Sequence, residues 1–109
     1  MSYEYSTGRV RILALTSDHV LTADDIGKVF RNDSTSNITV TVPKTLISGF
    51  SAGFIQDSTG TITISAGTSA VNRSGVTTLS TQYGRGSVFV FKQNSSDTAA
   101  EFLVGGDFA

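Results

Sequence analysis

Residues 37–42, NITVTV, alternate without a break: Ile38, Val40 and Val42 on one side, Thr39 and Thr41 on the other. A period of two marks a strand with one face buried and the other in water. Pro43 stops it, because proline has no N–H to offer a ladder. TITIS at 61–65 repeats the pattern, with Ile62 and Ile64 inward. GFIQD leads into it through Ser58, Thr59 and Gly60, which reads as a hairpin. No stretch carries a helical period for more than about two turns. The chain is therefore expected to be all-β.

The remaining segments fit that class. VRILAL at 10–15 places Val10, Ile12 and Ala14 on one face and Arg11, Leu13 and Leu15 on the other, so both faces are expected to be largely covered. In TADDIG, Thr22 can cap a single helical turn and Asp25 can return the bond, with Gly27 closing it. Lys28 to Asn32 reads as extended, and NDSTSN as a turn of residues that bond their own backbone. VTTL at 76–79, SVFVFKQ from Ser87 and AEFLVG from Ala100 complete the strands. In SVFVFKQ, Val88 and Val90 oppose Phe89 and Phe91, so the strand has no polar face and suits a central place or a subunit contact. The expectation is a single-domain β-sandwich or jelly roll over residues 10–109, with one short helical turn around 22–27. Ile38, Val40, Ile62, Ile64 and Val90 should share one core. The segments ending in TVTV and TITI are the nearest thing to a repeat.

Composition sharpens what the chain can do. Serine and threonine supply 30 of the 109 residues, and charged residues only 16%, against about 25% in average domains. A net charge of −1 excludes the basic stripe that nucleic acid or an anionic membrane surface requires. With no cysteine there is no disulfide and no thiolate zinc site, and one histidine leaves a metal site mostly to carboxylates. No apolar run approaches the ~18 residues of a membrane-spanning helix. The N-terminus lacks an apolar signal core, so the chain is expected to be made in the cytoplasm without a signal peptide. Asn32, Asn37, Asn72 and Asn94 begin N-x-S/T triplets, which arise by chance in so polar a chain.

No motif assembles a reaction. Ser17, Asp18 and His19 are adjacent in sequence, where a triad needs the histidine between its partners in space. Asp24 and Asp25 read as partners of a helix start rather than as paired acid and base. NDSTSN lacks the ligand spacing of a calcium loop, and GRG at 84–86 precedes a strand rather than a helix, so it is no phosphate cradle. No catalytic, cofactor-binding or metal-binding residues are expected, and no enzymatic activity. Tyr3 and Tyr5 stand in a polar arm at 1–9, where amphipathic aromatics suit packing on a neighbour or on the domain's own core. Phe108 invites the same two readings. The candidate interface residues are Tyr3, Tyr5, Arg9, Arg11, Phe89 and Phe91.

LTADDIGKVFRNDSTSNITVTVP, GFSAGFIQDSTGTITISAG, GSVFVFKQ and EFLVGGDF, in that order across residues 20–107, together resemble a β-module of tailed-bacteriophage virions. The module occurs in capsid decoration (cement) proteins and in head- and tail-fibre proteins. Its last strand often carries a tryptophan, near whose place Phe102 stands here. The resemblance implies a structural virion protein, here with only a short arm beside the module. That favours a decoration protein bound to the major capsid protein on the outer shell. The alternative is a tail or fibre tip contacting host glycan, with Tyr83, beside Gln82 and Arg85, as the platform. A homo-oligomer is expected, a trimer before a dimer, because a small core gains from shared apolar surface.

Overall fold

The computed structural model describes residues 10–93 and 100–109. Ten strands form two packed sheets: β1 (Ile12–Ala14), β2 (His19–Val20), β3 (Val29–Asn32), β4 (Ile38–Val42), β5 (Ser51–Gln56), β6 (Ile62–Ala66), β7 (Val71–Asn72), β8 (Thr78–Leu79), β9 (Arg85–Gln93) and β10 (Ala100–Gly106). One sheet has six strands in the order β1-β3-β5-β9-β10-β7; the other has four, β2-β4-β6-β8. Among the described residues the single helical piece is a 3-10 turn at Ala23–Asp25. The protein is the expected β-sandwich.

Its winding differs from the expected hairpins. β5 and β6 do not pair; they lie in different sheets. β3 runs parallel to β5, and β4 parallel to β6. The chain coils from one sheet to the other and returns one strand further on, beside and parallel to its previous pass. Partners in both ladders are offset by 24 residues, Ile38 to Ile62 and Asn32 to Gln56. FxNDSTxxITV at 30–40 thus repeats as FxQDSTxxITI at 54–64. The likeness of TVTV and TITI is one part of this longer repeat, in which each coil packs on its neighbour. A two-residue alternation reports only that each strand has a buried face, which parallel and antiparallel pairing satisfy equally. β9 and β10 then pair antiparallel, and β8 closes the smaller sheet antiparallel to β6.

The coil corners are built from side-chain amides. Asn32 is fully buried; its amide nitrogen donates to the Ser36 and Thr61 carbonyls at 3.0 and 3.2 Å. Its Oδ1 accepts from the Ser34 N–H at 3.1 Å and hydroxyl at 2.8 Å. Asn72 and Ser74 make the same corner: Asn72 donates to the Val76 carbonyl and accepts from the Ser74 N–H and hydroxyl. Asn32 and Asn72 are thereby consumed by backbone satisfaction. Asn94 lies outside the described residues. Gly60 stacks directly on the first corner; a Cβ there would lie 2.2 Å from the Ser36 carbonyl oxygen.

The core lies between the sheets. Ile38, Val40, Val42, Ile62, Ile64 and Leu79 face it from the smaller sheet; Phe30, Phe54, Val88, Val90 and Phe102 face it from the larger. All five expected core residues belong to it. Phe108 is buried and meets Phe54 edge to face at 6.1 Å, so it belongs to the domain's own core. Gly86 makes the space: a Cβ there would lie 2.4 Å from the Phe108 ring. Val10 and Ile12 are exposed, so one face of VRILAL is open where both were expected to be covered. β1 is an edge strand, and only Leu13 and Leu15 turn toward the core.

Candidate functional site

The acidic turn is a mechanical corner. The Asp25 carboxylate accepts from the Thr22 N–H at 2.9 Å, the return bond expected of a capping box. It also meets His19 Nε2 at 2.9 Å and Lys28 Nζ at 3.4 Å. Asp25 is buried. Burial by itself would raise its pKa, but the Thr22 N–H, His19 and Lys28 together hold it below its ordinary value. The His19 ring packs 5.2 Å from Phe30, tying the turn to the core. Asp18 accepts from the Thr39 N–H at 2.9 Å, and the Ser17 hydroxyl donates to the Asp18 carbonyl. The structure brings His19 to Asp25, a pair the sequence hides at a separation of six residues, and no serine joins it.

Two further charge groups are local. Glu101 accepts from Arg73 at 2.8 Å, with Lys92 at 3.8 Å; the Arg73 bond first of all holds the Glu101 carboxyl below its ordinary value. Arg31 lies near Asp33 and Asp57. Among the described residues no three His, Asp or Glu side chains converge to hold a metal ion, and no helix is long and apolar enough to cross a membrane.

The surface that stands out is the outer face of the six-stranded sheet. Register aligns Ser51, Phe89 and Leu103 in one row across three strands. The next row runs Ile12, Val29, Gly53, Ser87 and Gly105. Phe89 is 46% exposed, Leu103 43% and Phe91 40%. Val88 and Val90, the alternate residues of β9, are wholly buried. The apolar double face of SVFVFKQ thus resolves into a core face and an open face. Part of these rows borders an open groove of about 380 Å³ with Val10, Val29, Gly53, Ser87 and Phe89 in its lining. Solvent-facing aromatic and aliphatic groups on adjacent strands are the kind of surface a macromolecular partner covers.

Of the candidate interface residues, the structure brings Phe89 and Phe91 to this face. Arg11 is exposed on the approach to β1, and its carbonyl accepts from the Val29 N–H. Tyr3, Tyr5 and Arg9 lie outside the described residues. Tyr83 is elsewhere, in the turn before β9; it is 73% exposed with φ +65°. Sequence reasoning missed Leu103 and the small floor of the groove, because only strand register shows that Leu103 adjoins Phe89 and Gly53 adjoins Ser87. The chain matches no protein-family model and no curated protein.

Proposed function

We propose that the protein is a structural component of a tailed-bacteriophage virion, a decoration protein that binds the outer capsid surface and stabilises the shell. The observation that carries the reading is the outer sheet face: Phe89, Phe91 and Leu103 present a broad apolar surface suited to a protein partner. The ordered series of motifs from 20 to 107 supports the phage setting. The corners at Asn32 and Asn72 support a role in a particle exposed to the environment, because these amides are satisfied internally and few long charged chains hang free. In this reading the open face meets the major capsid protein or further copies, with a trimer favoured, and the threonine-rich sheet faces water. A specific contact of this kind buries at least about 1,000 Å² in total.

Cosedimentation of the purified protein with phage heads lacking it, set against tails, tests the assignment. Binding to heads, weakened about tenfold or more by Phe89→Ser with Leu103→Ser, is the expected result. Binding to tails alone would replace it with the second reading, a fibre tip that contacts host glycan. That reading has its own observation. Tyr83 occupies a left-handed backbone position that favours glycine or asparagine, and its exposed ring contributes little to the fold.

A further inference from the structure

On the outer face of the six-stranded sheet a row with large side chains lies beside a row of small ones. Phe89 on β9 and Leu103 on β10 stand in the first; Gly53 on β5, Ser87 on β9 and Gly105 on β10 stand in the second. The groove occupies the β5 and β9 part of this pattern, with Gly53, Ser87 and Phe89 in its lining. β10 continues the pattern beyond it. Phe89, Leu103, Ser87 and Gly105 are all exposed. The fold does not require Gly105 to be bare: a Cβ there would meet nothing within 4 Å, and its backbone is not in the left-handed region.

We infer that a second copy of the chain covers this face, packed sheet on sheet about a twofold axis that lies between the two rows and runs across the strands. Such an axis reverses strand direction and exchanges the rows, while each strand stays over its own counterpart. Phe89 then stands over the partner's Ser87 and Leu103 over the partner's Gly105, and the reverse contacts follow by symmetry. Large residues facing small ones let two packed layers interdigitate. The same operation sets Arg85 over the partner's Phe91. Arg85 is exposed, and among the described residues its guanidinium makes no ion pair; a guanidinium over an exposed ring is attracted to it. Packed sheets cross at about 30°, a small displacement over the one strand spacing from β9 to β10. The five strands from β1 to β10 span about 24 Å and the nine residues of β9 about 30 Å, a footprint of roughly 700 Å² per copy. Two copies together bury roughly 1,400 Å², within the range of stable, specific interfaces. The matched rows favour a copy over an unrelated protein, since Leu103 and Gly105 complement each other only across a twofold axis. The inference concerns the free protein and rests on the open face, not on the shell.

The test is sedimentation equilibrium of the full chain at stepped concentrations, with a dimer expected at the upper end. Gly105→Leu, at a position with open space in the monomer, sets leucine against the partner's Leu103 and should weaken the dimer about tenfold or more, as overfilled contacts do. Leu103→Gly leaves the facing hollow empty and should weaken it as well. Mixed in equal amounts, the two variants should pair with each other at the wild-type affinity, because a large side chain then meets a small one at both places. Leu103→Ala, milder in a strand, repeats the mixture. A monomer at every concentration, a trimer, a Gly105→Leu dimer as tight as wild type, or a mixture no tighter than the separate variants would each overturn the inference. A wild-type dimer that does not sediment with phage heads would remove the shell reading and leave this one standing.

Discussion

The two sheets of the sandwich share one core and differ on their outer faces. On the four-stranded sheet, Thr39 and Thr63 stand side by side, as do Thr41 and Ser65, and the face suits water. On the six-stranded sheet the corresponding rows hold Phe89 beside Leu103 and Ile12 beside Val29. Alternation is equally clean in both, so burial of one face is specified equally well. What differs is whether the second face is finished in the monomer. The smaller sheet is complete by itself; the larger leaves apolar surface for something else to cover.

The sharpest way to break the comparison is to damage the shared core. Ile64→Ala should cost about 2–5 kcal/mol, measured by urea unfolding, and Val90→Ala on the other sheet should cost a comparable amount. A large difference between the two would mean that the sheets do not unfold together. Next come the corners that let the sheets alternate. Asn32→Ala removes a side chain with four bonds and strands buried groups of the turn, at about 2–3 kcal/mol. Gln56→Ala should cost less, about 1 kcal/mol. Gln56 occupies the equivalent place one coil later, but among the described residues its side chain makes one bond, to the Ser58 carbonyl, and its Oε1 has no partner. Equal losses would refute the account of Asn32 as the keystone of its corner.

A smaller effect concerns Asp25. Its pKa is below the ordinary 3.8 in the folded protein, so its contribution is present above that value and is lost as pH falls through the folded value. Asp25→Asn should therefore be less stable than wild type at pH 7, by about 1 kcal/mol. The gap should close below pH 3.8 in unfolding measurements at stepped pH. A gap unchanged to pH 2 would show that the carboxylate charge does nothing for the corner. Smallest of all, Leu103→Ser should leave monomer stability within about 0.5 kcal/mol while reducing association through the open face. A loss as large as that of Ile64→Ala would mean that the face is covered within the monomer.

The all-β class, the strand at 38–42, the helical turn closed by Gly27 and the core membership of Ile38, Val40, Ile62, Ile64 and Val90 were legible in the sequence. Each follows from a local rule: side-chain period, proline and glycine placement, or a capping residue three positions before an acid. The partner of each strand was not legible. GFIQD and TITIS lie a few residues apart, yet they enter different sheets, because the corner at 56–61 stacks on the one at 32–37 instead of folding back on itself. That choice rests on contacts between successive coils, among them the buried Asn32 amide reaching Thr61, 29 residues further on. The pairing of His19 with Asp25 and the row of Phe89 with Leu103 have the same origin. The sequence by itself determined which residues of each strand turn inward, since that is fixed within a few bonds by the pleat. Only the tertiary structure decided which strands lie side by side, and with them the groove lined by Val29, Gly53, Ser87 and Phe89, since a sheet face is assembled from segments that share no local pattern.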